Sequence, residues 1–302
     1  MKAMVFEEYG PPEVLQIKDV PLPVPDSGQV RVKVHATTVT AGDWRMRKAD
    51  PPYARIYNGL LRPREVKILG FEVSGVVDAV GRDATRLQKG DRVFAHTGLR
   101  FGGYAEYICL PVNGNQNKGL VAKMPTNLSF PEAAGVPTGG LAALNLLRKG
   151  GITGGIDVLI VGASGSVGTF AVQLAKHYGA SITAVCSASN FDLVTSLGAG
   201  KTIDYSVENF WERSESYDLV FDAVSKVSGR YCRRALKPGG RYVDVGVGRK
   251  DRIQDLDFLR ELLEAGQIKP VIDRTYPFED IPAAHAYVEK GHKKGNVVVT
   301  VP

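Results

Sequence analysis

The chain has 302 residues, 44% of them hydrophobic and 23% charged, with a formal net charge of +6. That length exceeds what one hydrophobic core usually serves, so two domains are expected. The composition is that of a globular protein; no apolar run is long enough to span a bilayer, and basic residues are scattered among acidic ones, which argues against a nucleic-acid partner.

Met1–Val5 runs directly into a strand-like alternation, so no secretory leader is read and a cytoplasmic protein is expected. The three cysteines, Cys109, Cys186 and Cys232, are odd in number and far apart, which predicts neither a disulfide framework nor a structural zinc site. In Val30–Ala36 apolar and polar residues alternate at period two, as in a half-buried strand. Val73–Val80 and Asp91–Ala95 read the same way, with turn signals at Pro25–Gly28, Gly81–Asp83 and Lys89–Asp91. Many short strands of this kind predict a small barrel or sandwich.

The pattern changes near Pro125. Ser129 stands as an N-cap before an Ala-rich segment, and a helix over about Gly139–Arg148 follows. Strand and helix then alternate: Val158–Val161, Val167–Tyr178, Ile182–Cys186, Asn190–Leu197, Leu219–Ala223 and Tyr242–Val245. This order predicts a doubly wound parallel sheet of Rossmann type, hence an α/β protein. The last segment, Asn296–Val301, is again a strand and is expected to return to the first domain.

The strand Val158–Val161 leads into Gly162-Ala163-Ser164-Gly165-Ser166-Val167-Gly168 and then a helix. That is the context a dinucleotide fingerprint requires. Ala163 takes the first small-residue slot at the tight turn. Gly165, without a Cβ, lets a pyrophosphate approach the backbone, and Gly168 lets helix pack on strand. NAD sites usually carry an acidic residue after the second strand, but Ser181–Phe191 has none. Ser187, Ser189 and Asn190 offer hydrogen-bond donors to a 2′-phosphate instead, and Ser189 or Asn190 reads equally as a helix cap. NADPH is therefore the expected cofactor. Leu236–Val243 has a counterpart in methyltransferases of Rossmann-like fold, but the β-rich N-terminal part does not fit them.

Leu69–Val77, Lys89–Val93, Gly103–Tyr107, the Gly162–Gly168 turn, Leu197–Ala199 with Ile203–Tyr205, and Gly291–Gly295 occur in one order over nearly the full length. Together they resemble the medium-chain dehydrogenase/reductase superfamily, and its zinc-free quinone oxidoreductase branch most. The resemblance implies a GroES-like β-rich catalytic domain, here 1–124 and 268–302, and a Rossmann NADP-binding domain, here 125–267. It implies hydride transfer from NADPH to a quinone or an α,β-unsaturated carbonyl. The alternative is an NADPH-binding structural or sensor protein with little turnover. Zinc members of the superfamily place Cys and His where this chain has Thr40 and Phe71, so no metal is expected. The stretch Thr40–Arg45 matches the substrate pocket of related quinone reductases; Thr40 replaces the usual Asn, and Asp43 reads equally as a capping carboxylate. Trp44, Tyr53 and Tyr57 are candidates to stack on a flat acceptor. Thr138, Val245 and Gly246 match positions near the nicotinamide, Tyr205 one near the adenosine phosphate, and Lys294, Gly295 and Asn296 a segment closing over the cofactor; Val224 belongs to the same cofactor set. In relatives a helix and a sixth sheet strand follow the strand matching Tyr242–Val245, and that strand pairs across a dimer axis. Here Gly246–Arg252 leads almost at once into a helix over Leu256–Ala265, too short a gap for both. Either the protein lacks the sixth strand, or a segment of it is absent from the sequence read. If the loss is real, an exposed edge flanked by Arg249, Lys250 and Arg252 predicts a monomer, or a dimer through another surface.

Overall fold

The chain was analysed as a computed structural model that describes residues 1–302 except 53, 247 and 249. Its strands are β1 (Lys2–Phe6), β2 (Leu15–Asp19), β3 (Gln29–Val39), β4 (Glu72–Val80), β5 (Arg92–His96), β6 (Tyr107–Pro111), β7 (Leu120–Lys123), β8 (Asp157–Val161), β9 (Ser181–Cys186), β10 (Lys201–Asp204), β11 (Tyr217–Asp222), β12 (Leu236–Asp244), β13 (Ile272–Pro277) and β14 (Asn296–Thr300). Its α-helices are α1 (Ala41–Lys48), α2 (Ala54–Asn58), α3 (Phe130–Ala134), α4 (Pro137–Lys149), α5 (Ser166–His177), α6 (Phe191–Leu197), α7 (Gly229–Cys232), α8 (Ile253–Glu264) and α9 (Ile281–Glu289). Two compact units form: Met1–Thr138 with Arg252–Glu261 and Ile272–Pro302, and Gly139–Asp251 with Leu262–Val271.

The first unit is built on a sheet in the order β13-β14-β3-β4-β5-β7, with β6 also paired to β3. The long β3 alternates as its sequence does: Val30, Val32, Val34 and Ala36 are fully buried while the residues between them are not. β14 pairs antiparallel with β3, Val298 opposite Thr38, so the chain's last strand does return to the first domain. The core gathers Met4, Phe6, Leu69, Val73, Val93, Tyr104, Val297 and Val299. A capping box closes the start of α3: the Ser129 hydroxyl accepts from the Glu132 amide, and the Glu132 carboxylate accepts from the Ser129 amide at 2.9 Å.

The second unit carries a parallel sheet in the order β10-β9-β8-β11-β12. The run Val158-Leu159-Ile160-Val161 in β8 is buried throughout, as a central strand covered on both faces must be. α5 buries Phe170, Ala171, Val172, Leu174 and Ala175, the apolar face the 3.6-residue period predicts. The first strand of the unit, β8, lies between the second and the fourth, β9 and β11, so the strand order reverses at β8–β11 and leaves a crevice at their carboxyl ends. Among the described residues the sheet has five strands and β12 is its edge. No helix among the described residues is long and apolar enough to cross a membrane.

Candidate active site

In the second unit the turn after β8 sits at that reversal. Gly162 has φ +75°, the left-handed region that only glycine enters cheaply. The tight turn therefore falls on Gly162 and not on Ala163, which is simply buried; this corrects the slot assigned from the sequence. A Cβ on Gly162 would stand 2.5 Å from Cγ1 of Val224, so Val224, just past the end of β11, closes one side of the turn. A Cβ on Gly168 would meet the Gly162 carbonyl oxygen at 2.1 Å, which shows why helix and strand approach so closely only with glycine there. At Gly165 the nearest atom to such a Cβ is 3.5 Å away. Its glycine is thus not demanded by the protein's own packing, and the open face lies at the N-terminus of α5, where the first amides and the helix dipole favour an anion. Ser164 completes the turn, and Ser166 and Val167 open α5.

The second strand ends beside it. The Asn190 side-chain amide donates to the hydroxyls of Ser164 at 3.1 Å and Ser187 at 2.9 Å, and the hydroxyls of Ser187 and Ser189 are 3.2 Å apart. Asn190 occupies the N-cap position of α6 but its side chain makes no cap bond, and Ser189 does not cap the helix either. The capping role foreseen for them gives way to this network because the Ser164 hydroxyl of the neighbouring turn is within reach. The Asn190 Oδ1 is buried with no partner among the described residues, an acceptor that a ribose hydroxyl would satisfy. An acid does stand here, brought by the next strand: Asp204 pairs with Cys186 across β10 and β9. Its Oδ2 accepts from the Ala188 amide at 3.2 Å and its Oδ1 from the Ser206 amide at 2.9 Å. The Ser206 hydrogen bonds hold this carboxyl below the usual range. Tyr205, next to it, is exposed. Val245 donates its amide to the Asp222 carbonyl at the end of β11 (3.2 Å), and Gly246 to Asp244 (2.8 Å), so both lie at the carboxyl edge of the sheet.

In the first unit a second polar constellation surrounds Glu72, at the start of β4. Glu72 is buried; its Oε1 accepts from the Thr138 amide at 2.6 Å and its other oxygen from the Thr38 hydroxyl. Burial raises its carboxyl pKa against these bonds and the Lys293 ammonium. The Thr138 hydroxyl oxygen is buried beside it without a well-formed hydrogen bond among the described residues. Lys293 bonds the Gly295 carbonyl and lies in the field of Glu72 and Asp273; desolvation lowers its pKa to about 8. Lys294 donates its amide to Asp273 at 3.0 Å, Gly295 has φ +55°, and Asn296 is buried. Thr40 and Asp43 form a capping box at α1, and Asp43 also accepts from the Gly70 amide at 2.8 Å. Asp43 is wholly buried, and desolvation raises its pKa to about 7 despite those donors. Tyr104 lies in its field and bonds His285 at 3.0 Å; Trp44, half-buried, packs against the core of the unit with Arg45 over its ring. Tyr53, the remaining candidate, lies outside the described residues.

The two sets thus divide by unit: Gly162–Gly168, Ser187, Ser189, Asn190, Tyr205, Val224, Val245 and Gly246 in one, and Thr40, Asp43, Trp44, Thr138 and Lys294–Asn296 in the other. Sequence reasoning missed Glu72, Lys293, Tyr104 and His285. Glu72 and Tyr104 stood inside motifs already noted, but nothing in their spacing reveals that they share a buried network with residues 180 or more positions away. The donor set does not fit zinc. Phe71 packs on Phe101 at 4.0 Å between ring centres, Thr40 caps a helix, and among the described residues no three His, Cys, Asp or Glu side chains converge as ligands.

Residues 26–125 match the alcohol dehydrogenase GroES-like domain, and residues 197–255 and 247–299 match the zinc-binding dehydrogenase family. The chloroplastic NADPH-dependent alkenal/one oxidoreductase of Arabidopsis thaliana is 32% identical over 331 aligned positions, covering 99% of this chain and 79% of that protein. A chloroplastic quinone oxidoreductase of Triphysaria versicolor is 31% identical, covering 99% and 98%. The solved structure of the quinone oxidoreductase from Coxiella burnetii superposes with a TM-score of 0.86 at 29% identity, covering 100% of this chain and 99% of that one. The chain belongs to the quinone oxidoreductase-like branch of the medium-chain dehydrogenase/reductase superfamily.

Proposed function

We propose that the protein is a zinc-independent, NADPH-dependent cytoplasmic reductase that delivers hydride to a quinone or an α,β-unsaturated carbonyl compound. One observation carries the reading: at the strand reversal of the parallel sheet, Gly165 presents an open backbone face to the N-terminus of α5, a cradle that nothing in the protein fills. The names of two relatives, an alkenal/one oxidoreductase and a quinone oxidoreductase, point to the same acceptor chemistry.

A bound nicotinamide supplies the hydride in such a reaction, and the protein's part is orientation and the exclusion of water. α5 and Gly165 bind the pyrophosphate, and Ser187, Ser189 and Asn190 hold the adenosine ribose and its 2′-phosphate. Glu72 fixes the Thr138 backbone, which sets the Thr138 hydroxyl as a contact for the carboxamide. Trp44 stacks on a flat acceptor, while Thr40 and Asp43 shape the helix that carries Trp44. Val224, Val245 and Gly246 line the sheet edge, and Lys294, Gly295 and Asn296 are the remaining proposed nucleotide contacts. No side chain is required as general base, because solvent can protonate the enolate. No step passes through zinc.

The test is steady-state oxidation of NADPH with a panel of quinones and enones, with a chelator present. Turnover with at least one acceptor class, unchanged by the chelator, is expected. Tight NADPH binding with no turnover would replace the reading with a structural or sensing role, and activity that requires added zinc would overturn the mechanism.

A further inference from the structure

The segment from α2 to β4 presents apolar side chains to solvent. Ile56 is 79% exposed, Leu60 69% and Leu61 88%, and Tyr57 and Leu99 are exposed beside them. Isolated exposed leucines are ordinary, but a contiguous group of this kind marks an interaction surface. The segment is also firmly anchored. Asn58 is buried, donating to the Val66 carbonyl at 3.0 Å and accepting from the Val66 amide at 2.6 Å. The Tyr57 hydroxyl donates to the Leu99 carbonyl at 3.0 Å, and the Tyr9 hydroxyl to the Gly59 carbonyl at 2.8 Å. The backbone is pinned from three sides, and the aliphatic groups still point outward.

Charge identifies the occupant. Arg55, Arg62, Arg64 and Lys67 stand exposed in the same segment, and Arg100 follows Leu99; the one acid between residues 54 and 67 is Glu65. Glu7, just past the end of β1, pairs with Lys18 at 2.8 Å and lies more weakly in the field of Lys67 and Arg62, and Glu8 lines the same surface as Arg62, so the acids nearby trim the cationic excess without cancelling it. An apolar tip ringed by guanidinium and ammonium groups matches an anionic bilayer surface, where aliphatic side chains enter the interface and the cations meet phosphate headgroups. We propose that residues 56–64 dock the protein reversibly on anionic phospholipid membranes. The inference does not depend on the acceptor the enzyme reduces.

The experiment is co-sedimentation of the full chain with vesicles of phosphatidylcholine, with and without phosphatidylglycerol. Binding is expected only where phosphatidylglycerol is present, and it should weaken as salt rises. Leu60→Ser with Leu61→Ser, and separately Arg62→Gln with Arg64→Gln, should each lower the partition constant by about tenfold or more. Both variants should keep the wild-type melting temperature and NADPH affinity, which shows that they are folded. Absence of binding to phosphatidylglycerol vesicles, or equal binding by folded variants, would overturn the proposal. So would a wild-type dimer that the leucine variant dissolves while neither protein binds vesicles, since the surface would then be occupied by a second copy.

Discussion

At the scale of single residues, one amide, Asn190, and one carboxylate, Asp204, stand at the end of the second strand of the parallel sheet. The window after the second strand holds no acid, yet parallel pairing brings Asp204 to the Ala188 amide. Under the proposed function, nucleotide preference would reflect a balance between serine hydroxyls and a carboxylate already engaged by two amides. Asn190→Asp should lower the NADPH-to-NADH affinity ratio by about tenfold, because a second, unengaged carboxylate would face the 2′-phosphate. Asp204→Asn should move the ratio the other way. Cofactor fluorescence titration measures both, and an unchanged ratio in both variants would place the 2′-phosphate elsewhere. His285 gives a pH signature. Burial, helped by Arg47, lowers its pKa to about 3 from an ordinary value of 6.5. In the folded state it stays neutral where the unfolded chain takes a proton. Its contribution is thus present above pH 6.5 and lost as pH falls toward 3, with a slope approaching about 1.4 kcal/mol per pH unit. Asp43, raised to about 7, acts in the opposite sense: it favours the folded state at acid pH and loses that contribution as pH rises through 7. The bulk curve mixes the two, so the comparison must be wild type against His285→Gln. Chemical denaturation from pH 7 to 4 should show the wild type losing stability relative to the variant; parallel curves would refute a neutral buried histidine.

At the scale of elements, the nucleotide turn separates two kinds of glycine. Gly168 is required by the protein, since its Cβ would strike the Gly162 carbonyl, and Gly168→Ala should cost about 1–3 kcal/mol of stability. Gly165, under the proposed function, is required by the ligand, because the protein's own packing leaves room for a Cβ there. Gly165→Ala should leave the melting temperature within a degree or two while weakening NADPH about tenfold or more. Thermal denaturation paired with cofactor titration reads both, and a Gly165→Ala protein that binds normally would remove the pyrophosphate from this turn. The turn was legible in the sequence because its determinants are local: an apolar strand, small residues at fixed offsets, then an amphipathic helix. β3, α3 with its Ser129 cap, and the βα alternation were readable for the same reason; β8, β9, β11, α5 and α6 were placed to within a residue or two of their ends, while β3 runs three residues beyond the Ala36 at which it was read to end. The Glu72–Thr138–Lys293 constellation was not, because three elements distant in sequence build it and only the paired sheet defines their meeting. β12 was read only as Tyr242–Val245, so its first six residues were missed: Leu236–Arg241 contains Pro238 and two glycines, yet Leu236 pairs with Tyr217 of β11 ahead of a register shift to Arg241.

At the scale of the molecule, the five-stranded sheet ends at β12. The aligned length of 331 positions against 302 residues shows that the Arabidopsis relative carries insertions. The exposed edge is poorly suited to pair with a copy of itself: Pro238 lacks an amide donor, Gly239 turns left-handed at φ +81°, and Arg241 is an exposed charge along it. Lys250 and Arg252 follow it, while Arg249 lies outside the described residues. A monomer, or a dimer through another surface, is the expected state. Light scattering with intact mass checks it, and a dimer whose β12 amides are protected from hydrogen exchange would refute it. The central claim is direct hydride delivery from a nucleotide seated at Gly165, without metal. The measurement that tests it most directly is the fate of the label when NADPH carrying deuterium at both C4 positions reduces an enone in the presence of a chelator. The account predicts one deuterium on the β-carbon of the product and none on the α-carbon, with the reaction slowed in Gly165→Ala. A product without label at the β-carbon, or labelling only after zinc is restored, would contradict it.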